Sequence, residues 1–133
     1  MRSSHSLLLL TALLFGQAAG AGEQKMGPRI AVEPASFDFG RALPHKTLTK
    51  EFTLRNLGDE SLTLEEVKTT CGCTAALPGE RRVLPGGRTP LHVSLKTGSS
   101  PGRVERRVII RSNDAQRSVL EVAVSVTVVP QGP

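Results

Sequence analysis

Apolar and polar residues alternate along most of the chain beyond residue 29, which is the pattern of β-strands buried on one face. In Val119–Val129, valines at even positions oppose Ala, Ser and Thr at odd positions. Thr47–Asn56 and residues 91–95 repeat this period of two. Lys50 interrupts the inward apolar set of Thr47–Asn56, so we expect it near the solvated start of that strand.

Turn residues separate these runs at Asn56–Asp59, at Pro85–Gly87 and at Ser112–Asp114. Short strands at such spacings indicate an antiparallel sandwich or barrel, and alternation favours two half-buried sheets. A short edge strand is expected at Arg29–Glu33, which prolines flank. A shift of phase across Glu65-Glu66 predicts a β-bulge just before the cysteines.

The inward positions of these strands predict one hydrophobic core. Its expected members are Phe37, Phe39, Phe52, Leu54, Leu62, Leu91, Val93, Leu95, Val108, Ile110, Val122, Val124 and Val126.

The N-terminal residues have the features of an export signal. Arg2 precedes an apolar run over Leu7–Phe15, and Ala19-Gly20-Ala21 fits a signal-peptidase site. The run is too short to span a bilayer, so no membrane span is expected. We therefore predict a signal peptide over 1–21, a disordered N-terminus over 22–28, one domain over 29–129, and a periplasmic or secreted location.

Composition excludes several function classes. Cleavage after Ala21 removes only Arg2 from the charged residues, which leaves 16 Lys and Arg against 12 Asp and Glu, a net charge of +4. This mild charge and the lack of Trp and Tyr argue against nucleic-acid binding. No nucleophile elbow, zinc-protease motif or phosphate loop occurs, so we expect a non-enzymatic protein without a cofactor.

Several short motifs recur together in a known bacterial family. They are Phe37-Asp38-Phe39-Gly40, Leu54-Arg55-Asn56, Cys71-Gly72-Cys73-Thr74 and Ser112-Asn113-Asp114. Over about residues 29–128 the chain resembles domain-of-unknown-function family 1573, mostly secreted bacterial proteins. The spacing of turns predicts about seven strands. The resemblance implies that they form an all-β, immunoglobulin-like antiparallel β-sandwich, and it implies binding of protein partners rather than catalysis.

Cys71 and Cys73 are the only cysteines, and three interpretations remain open. They can have a structural role, either as core thiols or as a disulfide, for which Gly72 supplies backbone freedom. They can bind Cu(I) as two thiolates on one strand face, because Cu(I) prefers soft sulfur ligands and accepts low coordination. A zinc site would need two further ligands, and the spacing of His45 and His92 does not bring them near. They can exchange electrons as a dithiol pair. The structural role is favoured over metal binding, and metal binding over redox exchange.

Arg103, Arg107 and Arg111 share one face of a single strand. This row is a candidate contact for an anionic partner, although a solvated sheet face is the favoured interpretation. Arg106 lies on the opposite face, and we expect its guanidinium to reach solvent at the sheet rim.

These observations predict a non-enzymatic interaction module of the bacterial envelope, which binds an unidentified protein partner. The exposed edge of Arg29–Glu33 is its expected binding strand. The alternatives are a Cu(I) carrier that uses Cys71 and Cys73, and a thiol–disulfide redox module that uses the same pair.

Overall fold

The structure, a computed structural model, describes residues 25–132 and consists of strands packed in two sheets. The predicted β-sandwich is confirmed, whereas the signal peptide predicted over 1–21 lies outside the described residues. The strands are β1 (Ile30–Glu33), β2 (Ser36–Ala42), β3 (Thr47–Asn56), β4 (Leu62–Thr69), β5 (Thr74–Pro78), β6 (Arg82–Val83), β7 (Arg88–Lys96), β8 (Gly102–Ser112) and β9 (Val119–Val128).

Sheet A has the strand order β1-β3-β7-β5, and sheet B has the order β2-β9-β8-β4-β6. All neighbours are antiparallel except β2 and β9, which run parallel. The prediction of a purely antiparallel sandwich is therefore corrected at this pair. The physical reason is the path of the chain, which leaves the edge of sheet A after β1 and joins the edge of sheet B as β2 in the same direction as β9.

Nine strands are present in the described part of the chain, against about seven predicted. The additional β5 carries Thr74, Ala76 and Pro78 at its inward positions, so it lacks the hydrophobic alternation that marks the other strands. β6 contains two residues, within the short strand that the sequence suggests over Arg82–Leu84, and it pairs only with the start of β4.

The core lies between the two sheets and includes most of the predicted residues. Each fully buried Val, Leu, Ile or Phe side chain contributes about 1.5–3 kcal/mol relative to exposure. Five buried apolar residues were not in the predicted core. Ile30, Val83, Leu120 and Val128 lie at or near a strand end or in a short strand, and Leu64 lies beside the bulge of β4.

Phe37 and Phe39 are not core residues, contrary to the prediction. Both are half-buried and pack against the rim of the core, because β2 is an edge strand of sheet B. Their rings meet edge to face at 5.1 Å between centroids. Lys50 was expected in a solvated position, but it is half-buried and its amine lies 4.4 Å from the centre of the Phe37 ring.

The predicted bulge is confirmed by a shift of register between Leu64 and Glu66 where β4 pairs with β8. At the N-terminus, the described residues include part of the segment 22–28. There the backbone N–H groups of Met26 and Gly27 donate to the Asp59 carboxylate at 2.9 and 2.8 Å. Within residues 25–132, no helix is long and apolar enough to cross a membrane.

Candidate functional site

Cys71 and Cys73 lie in the turn between β4 and β5 and are joined by a disulfide, with their Cα atoms 5.2 Å apart. Hydrogen bonds from one side-chain hydroxyl and one backbone N–H hold this turn without using the sulfur atoms. The Thr69 hydroxyl lies 3.0 Å from the Cys71 carbonyl and 2.9 Å from the Thr74 carbonyl, within donating distance of both. The Thr74 N–H donates to the Cys71 carbonyl at 3.1 Å.

The sulfur atoms of this turn contact hydrogen-bond donors. Arg106 Nε donates to Cys73 Sγ at 3.4 Å, and the Cys73 N–H donates to Cys71 Sγ at 3.1 Å. Arg106 occupies an inward position of β8, as predicted, and is half-buried. Its Nη1 donates to the Glu105 carbonyl at 2.8 Å, which fixes the guanidinium at the end of the sandwich.

We call the space in front of these residues the disulfide cleft, which has a volume of about 360 Å³. It is lined by Cys71, Cys73, Lys96, Thr97, Gly98, Ser99, Ser100, Val104 and Arg106. Two of these residues are cations, and none of the residues that line the cleft carries a carboxylate. The cleft therefore presents a positive surface beside a sulfur–sulfur bond.

In the disulfide each sulfur is bonded to the other, so the pair offers no thiolate to a Cu(I) ion, and Arg106 Nε already donates to Cys73 Sγ. Cu(I) binding by the reduced pair stays a prediction. In residues 25–132, no group of three or more His, Cys, Asp or Glu side chains could hold a metal. His92 pairs with Glu51 at 3.7 Å on the outer face of sheet A, and His45 lies in the β2–β3 turn with a positive φ of 58°.

The arginine row lies on the outer face of sheet B, and every member faces a carboxylate. The pairs are Arg103 with Asp38 at 3.5 Å, Arg107 with Glu121 at 2.7 Å, and Arg111 with Glu66 at 3.9 Å. A hydrogen bond from the backbone N–H of Gly40 is the main cause of the lowered pKa of Asp38, and the Arg103 guanidinium lowers this pKa further. Anion binding by the row stays a prediction, and these acidic neighbours offset much of its positive charge.

A second feature is a free backbone edge along β3. The Asn56 N–H donates to Gly87, and the Lys46 carbonyl accepts from Thr97, so even-numbered residues bond to β7. The direction of backbone hydrogen bonds alternates along a strand, so the N–H and C=O groups of the odd-numbered residues of β3 point away from β7. β1 pairs with β3 only from Thr53 onward. The backbone groups of Thr47, Thr49 and Glu51 therefore face no strand in the described part of the chain.

The other edge strands are closed or short. β1 is an edge strand, as predicted from Arg29–Glu33, but it has four residues and the N–H of Ile30 already donates to Asp114 at 2.9 Å. β5 carries Pro78, which lacks an N–H group. β2 is interrupted by a register shift between Asp38 and Arg41.

The free edge of β3 borders a gap between the sheets that we call the open side (Phe37, Phe39, Leu48 and Lys50). All four residues occupy inward positions, yet all are only half-buried. The Lys50 amine spans the gap from sheet A to the Phe37 ring of sheet B. The sequence carries one signal of this feature, because Lys50 interrupts an otherwise apolar inward set.

Comparison with known structures places the fold among sandwich domains of several kinds. A Porphyromonas gingivalis protein of unknown function has a TM-score of 0.68 at 21% identity, over 78% of this chain and 48% of that chain. An ASH/PapD-like domain of a human protein has a TM-score of 0.61 at 11% identity, over 81% and 89%. The secreted serine protease VesC from Vibrio cholerae has a TM-score of 0.57 at 15% identity, over 83% and 25%.

These likenesses concern the fold alone. The chain spans about half the length of the P. gingivalis protein, 48% of it. No curated protein sequence matches the chain. The family model described as "Protein of unknown function (DUF1573)" matches residues 30–128, nearly the whole described chain. The protein therefore belongs to the DUF1573 family, as its motifs indicated.

Proposed function

We propose that this protein is a non-enzymatic interaction module of the bacterial envelope that binds an extended segment of a partner protein as an added strand of sheet A. The observation that supports it most is the free edge of β3 at Thr47, Thr49 and Glu51. Each of these residues offers a backbone donor and acceptor that no strand takes up in residues 25–132. An extended peptide satisfies such groups by pairing with the edge.

The open side determines which side chains the partner segment carries. Successive residues of an added strand point alternately into the gap and out to solvent. Its inward residues then contact Phe39 and Leu48, which are partly exposed and adjoin the core. Apolar side chains at alternate positions of the partner therefore complete the core on this side.

Lys50 adds a requirement of charge. An inward-pointing charge is a common protection of a free edge against pairing with other copies of the same protein. The Lys50 amine is already desolvated on one side by the Phe37 ring. We expect an acidic side chain in the partner segment beside Lys50, because it compensates this charge when the gap closes.

The location of this activity rests on the N-terminal sequence. The signal peptide predicted over 1–21 supports export, so the partner is sought in the periplasm or among secreted proteins. The arginine row of sheet B lies on the opposite sheet and takes no part in this binding.

Thr49→Pro tests the proposal, because proline removes one N–H group from the free edge of β3. Ala76→Pro is a matched control, since Ala76 directs its backbone toward the free edge of β5 in the same sheet. Each variant and the wild type are used to capture partners from an envelope extract of the source bacterium. Hydrogen exchange then follows the amides of the captured complex.

We expect one partner that binds the wild type and the Ala76→Pro variant but not the Thr49→Pro variant. Bound partner should protect the amides of Thr47, Thr49 and Glu51 from exchange. If Thr49→Pro retains the same partners as the wild type, or if protection appears only elsewhere, strand addition at β3 is wrong.

A further inference from the structure

The disulfide cleft lies apart from the free edge of β3, across two neighbouring strands of sheet A. At this end of the sheet, Thr47 of β3 is opposite Lys96 of β7, and Thr74 of β5 is opposite Leu95. Cys71 and Cys73 line the cleft and are half-buried rather than sealed in the core. We propose that their disulfide is redox-active and accepts two electrons from a pair of cysteine thiols on a partner protein.

Arg106 is the residue that prepares this bond for reduction. Its Nε already donates to Cys73 Sγ at 3.4 Å, and its Nη1 is anchored on the Glu105 carbonyl. The guanidinium is therefore in place before any thiolate forms. A hydrogen bond from a cation to a thiolate is stronger than one to a neutral sulfur, so Arg106 favours the reduced state of Cys73.

The first step is attack by a partner thiolate on Cys71 Sγ. A mixed disulfide forms between the partner and Cys71, while the Cys71–Cys73 bond breaks and its electron pair moves to Cys73 Sγ. Arg106 stabilises the Cys73 thiolate as it leaves. A sulfur that leaves as a more stable thiolate leaves faster, so Cys71 is the sulfur under attack.

The second thiolate of the partner completes the exchange. It attacks the partner's own sulfur in the mixed disulfide, so the partner closes its disulfide and Cys71 leaves as a thiolate. The partner loses two electrons and two protons. Cys71 and Cys73 gain the two electrons, and the protons reach them through solvent.

The surroundings of the cleft support this role over a purely structural one. Lys96 and Arg106 make it positive, which attracts an incoming thiolate. The turn does not depend on the sulfur–sulfur bond, because Thr69 and Thr74 hold it through their hydrogen bonds to the Cys71 carbonyl.

The test equilibrates the oxidised, folded protein with graded ratios of reduced to oxidised dithiothreitol, without denaturant. Free thiols are trapped by alkylation and counted by mass spectrometry. Arg106→Gln removes the charge beside Cys73. Arg107→Gln is the matched control, because Arg107 is the next residue of β8 and pairs with Glu121 on the opposite face. Arg106→Lys keeps the charge and provides a second variant if Arg106→Gln is poorly folded.

We expect full reduction to give two thiols per wild-type molecule. For half reduction, Arg106→Gln should need about a tenfold higher ratio of reduced to oxidised dithiothreitol than the wild type. Tenfold in this two-electron equilibrium is about 30 mV. Arg107→Gln should titrate with the wild type, and Arg106→Lys should fall between the wild type and Arg106→Gln. The proposal is overturned if the folded protein yields no thiols, or if Arg106→Gln titrates with the wild type. Thr49→Pro should leave this titration unchanged, so the proposal stands or falls separately from strand addition.

Discussion

The carboxylate of Asp114 accepts the backbone N–H of Ile30 at 2.9 Å and so ties the first residue of β1 to the loop that follows β8. It also accepts the N–H groups of Gln116 and Arg117 at 2.9 and 3.1 Å. Asp114 is only 2% exposed. Its burial acts to raise the pKa of this carboxyl, but the three N–H donors outweigh burial and hold the pKa below its ordinary value.

Asp114→Asn should make the protein less stable at neutral pH and less sensitive to acid. The folded pKa is below the unfolded value of about 3.9, so the carboxylate stabilises the fold above that pH, and this contribution is lost as the pH falls through the folded pKa. We expect a loss of about 1–3 kcal/mol in the free energy of unfolding at pH 7, shrinking in acid. Urea unfolding at a series of pH values measures it. Glu60→Gln, at an exposed carboxyl, is the control, and a loss that stays constant with pH would contradict the prediction.

Asn56→Asp should destabilise the fold strongly although it hardly changes the shape of the side chain. Asn56 is fully buried, and its Nδ2 donates to the carbonyls of Glu60 and Val83 at 2.6 and 3.0 Å. Its Oδ1 accepts the N–H groups of Arg29 and Gly58 at 3.2 and 3.0 Å. The variant loses both donors, and each carbonyl left unsatisfied costs about 1–3 kcal/mol. We therefore expect a loss above about 2 kcal/mol in chemical denaturation.

Asn113→Asp is the matched control for Asn56→Asp. The Asn113 side chain also bonds two backbone groups, those of Ser61 and Thr63, but it is exposed to solvent. We expect a loss below about 1 kcal/mol there, because water replaces the missing partners. Equal losses in the two variants would show that burial of Asn56 is not the cause.

Removal of the disulfide by Cys71→Ala/Cys73→Ala should leave the fold intact. The bond closes a loop of three residues, and loop entropy predicts only about 1.6 kcal/mol for it, against about 4.7 kcal/mol for a loop of 100 residues. Circular dichroism should match the wild type, and denaturation should show a loss below about 2 kcal/mol. A loss above about 4 kcal/mol would assign the bond to stability.

Lys50→Met should increase self-association. The substitution removes the inward charge from the open side and leaves an apolar gap beside the unpaired backbone of β3. Light scattering against concentration measures the effect. Lys46→Met is the control, because Lys46 is exposed and precedes the strand. If neither variant associates more than the wild type, Lys50 does not protect this edge.

Reduced protein should bind Cu(I) no more tightly than the Cys71→Ser/Cys73→Ser variant. Arg106 Nε donates to Cys73 Sγ and competes with a metal ion for the electron pairs of this sulfur, and no third His, Cys, Asp or Glu ligand lies near the pair in residues 25–132. Titration against a competing Cu(I) chelator measures the difference. One equivalent held tightly by the wild type and not by the variant would make a copper carrier the better interpretation.

The sequence alone determined the strands with strong alternation, the bulge before the cysteines and the family. Burial on one face of a strand repeats every two residues, so segments such as Val119–Val129 show it as an alternation of apolar and polar residues. Short or polar strands lack this alternation. β5 was missed because its inward positions hold Thr74, Ala76 and Pro78.

Only the tertiary structure decided which positions lie at an edge and which side chains meet. Phe37 and Phe39 alternate like core residues, yet they are half-buried because no strand of residues 25–132 lies beyond β2. The contact of Arg106 with Cys73 joins residues 33 positions apart and leaves no periodic trace in the sequence. Local pattern specifies the face of a strand, whereas its neighbours depend on the path of the chain between the sheets, which the pattern does not contain.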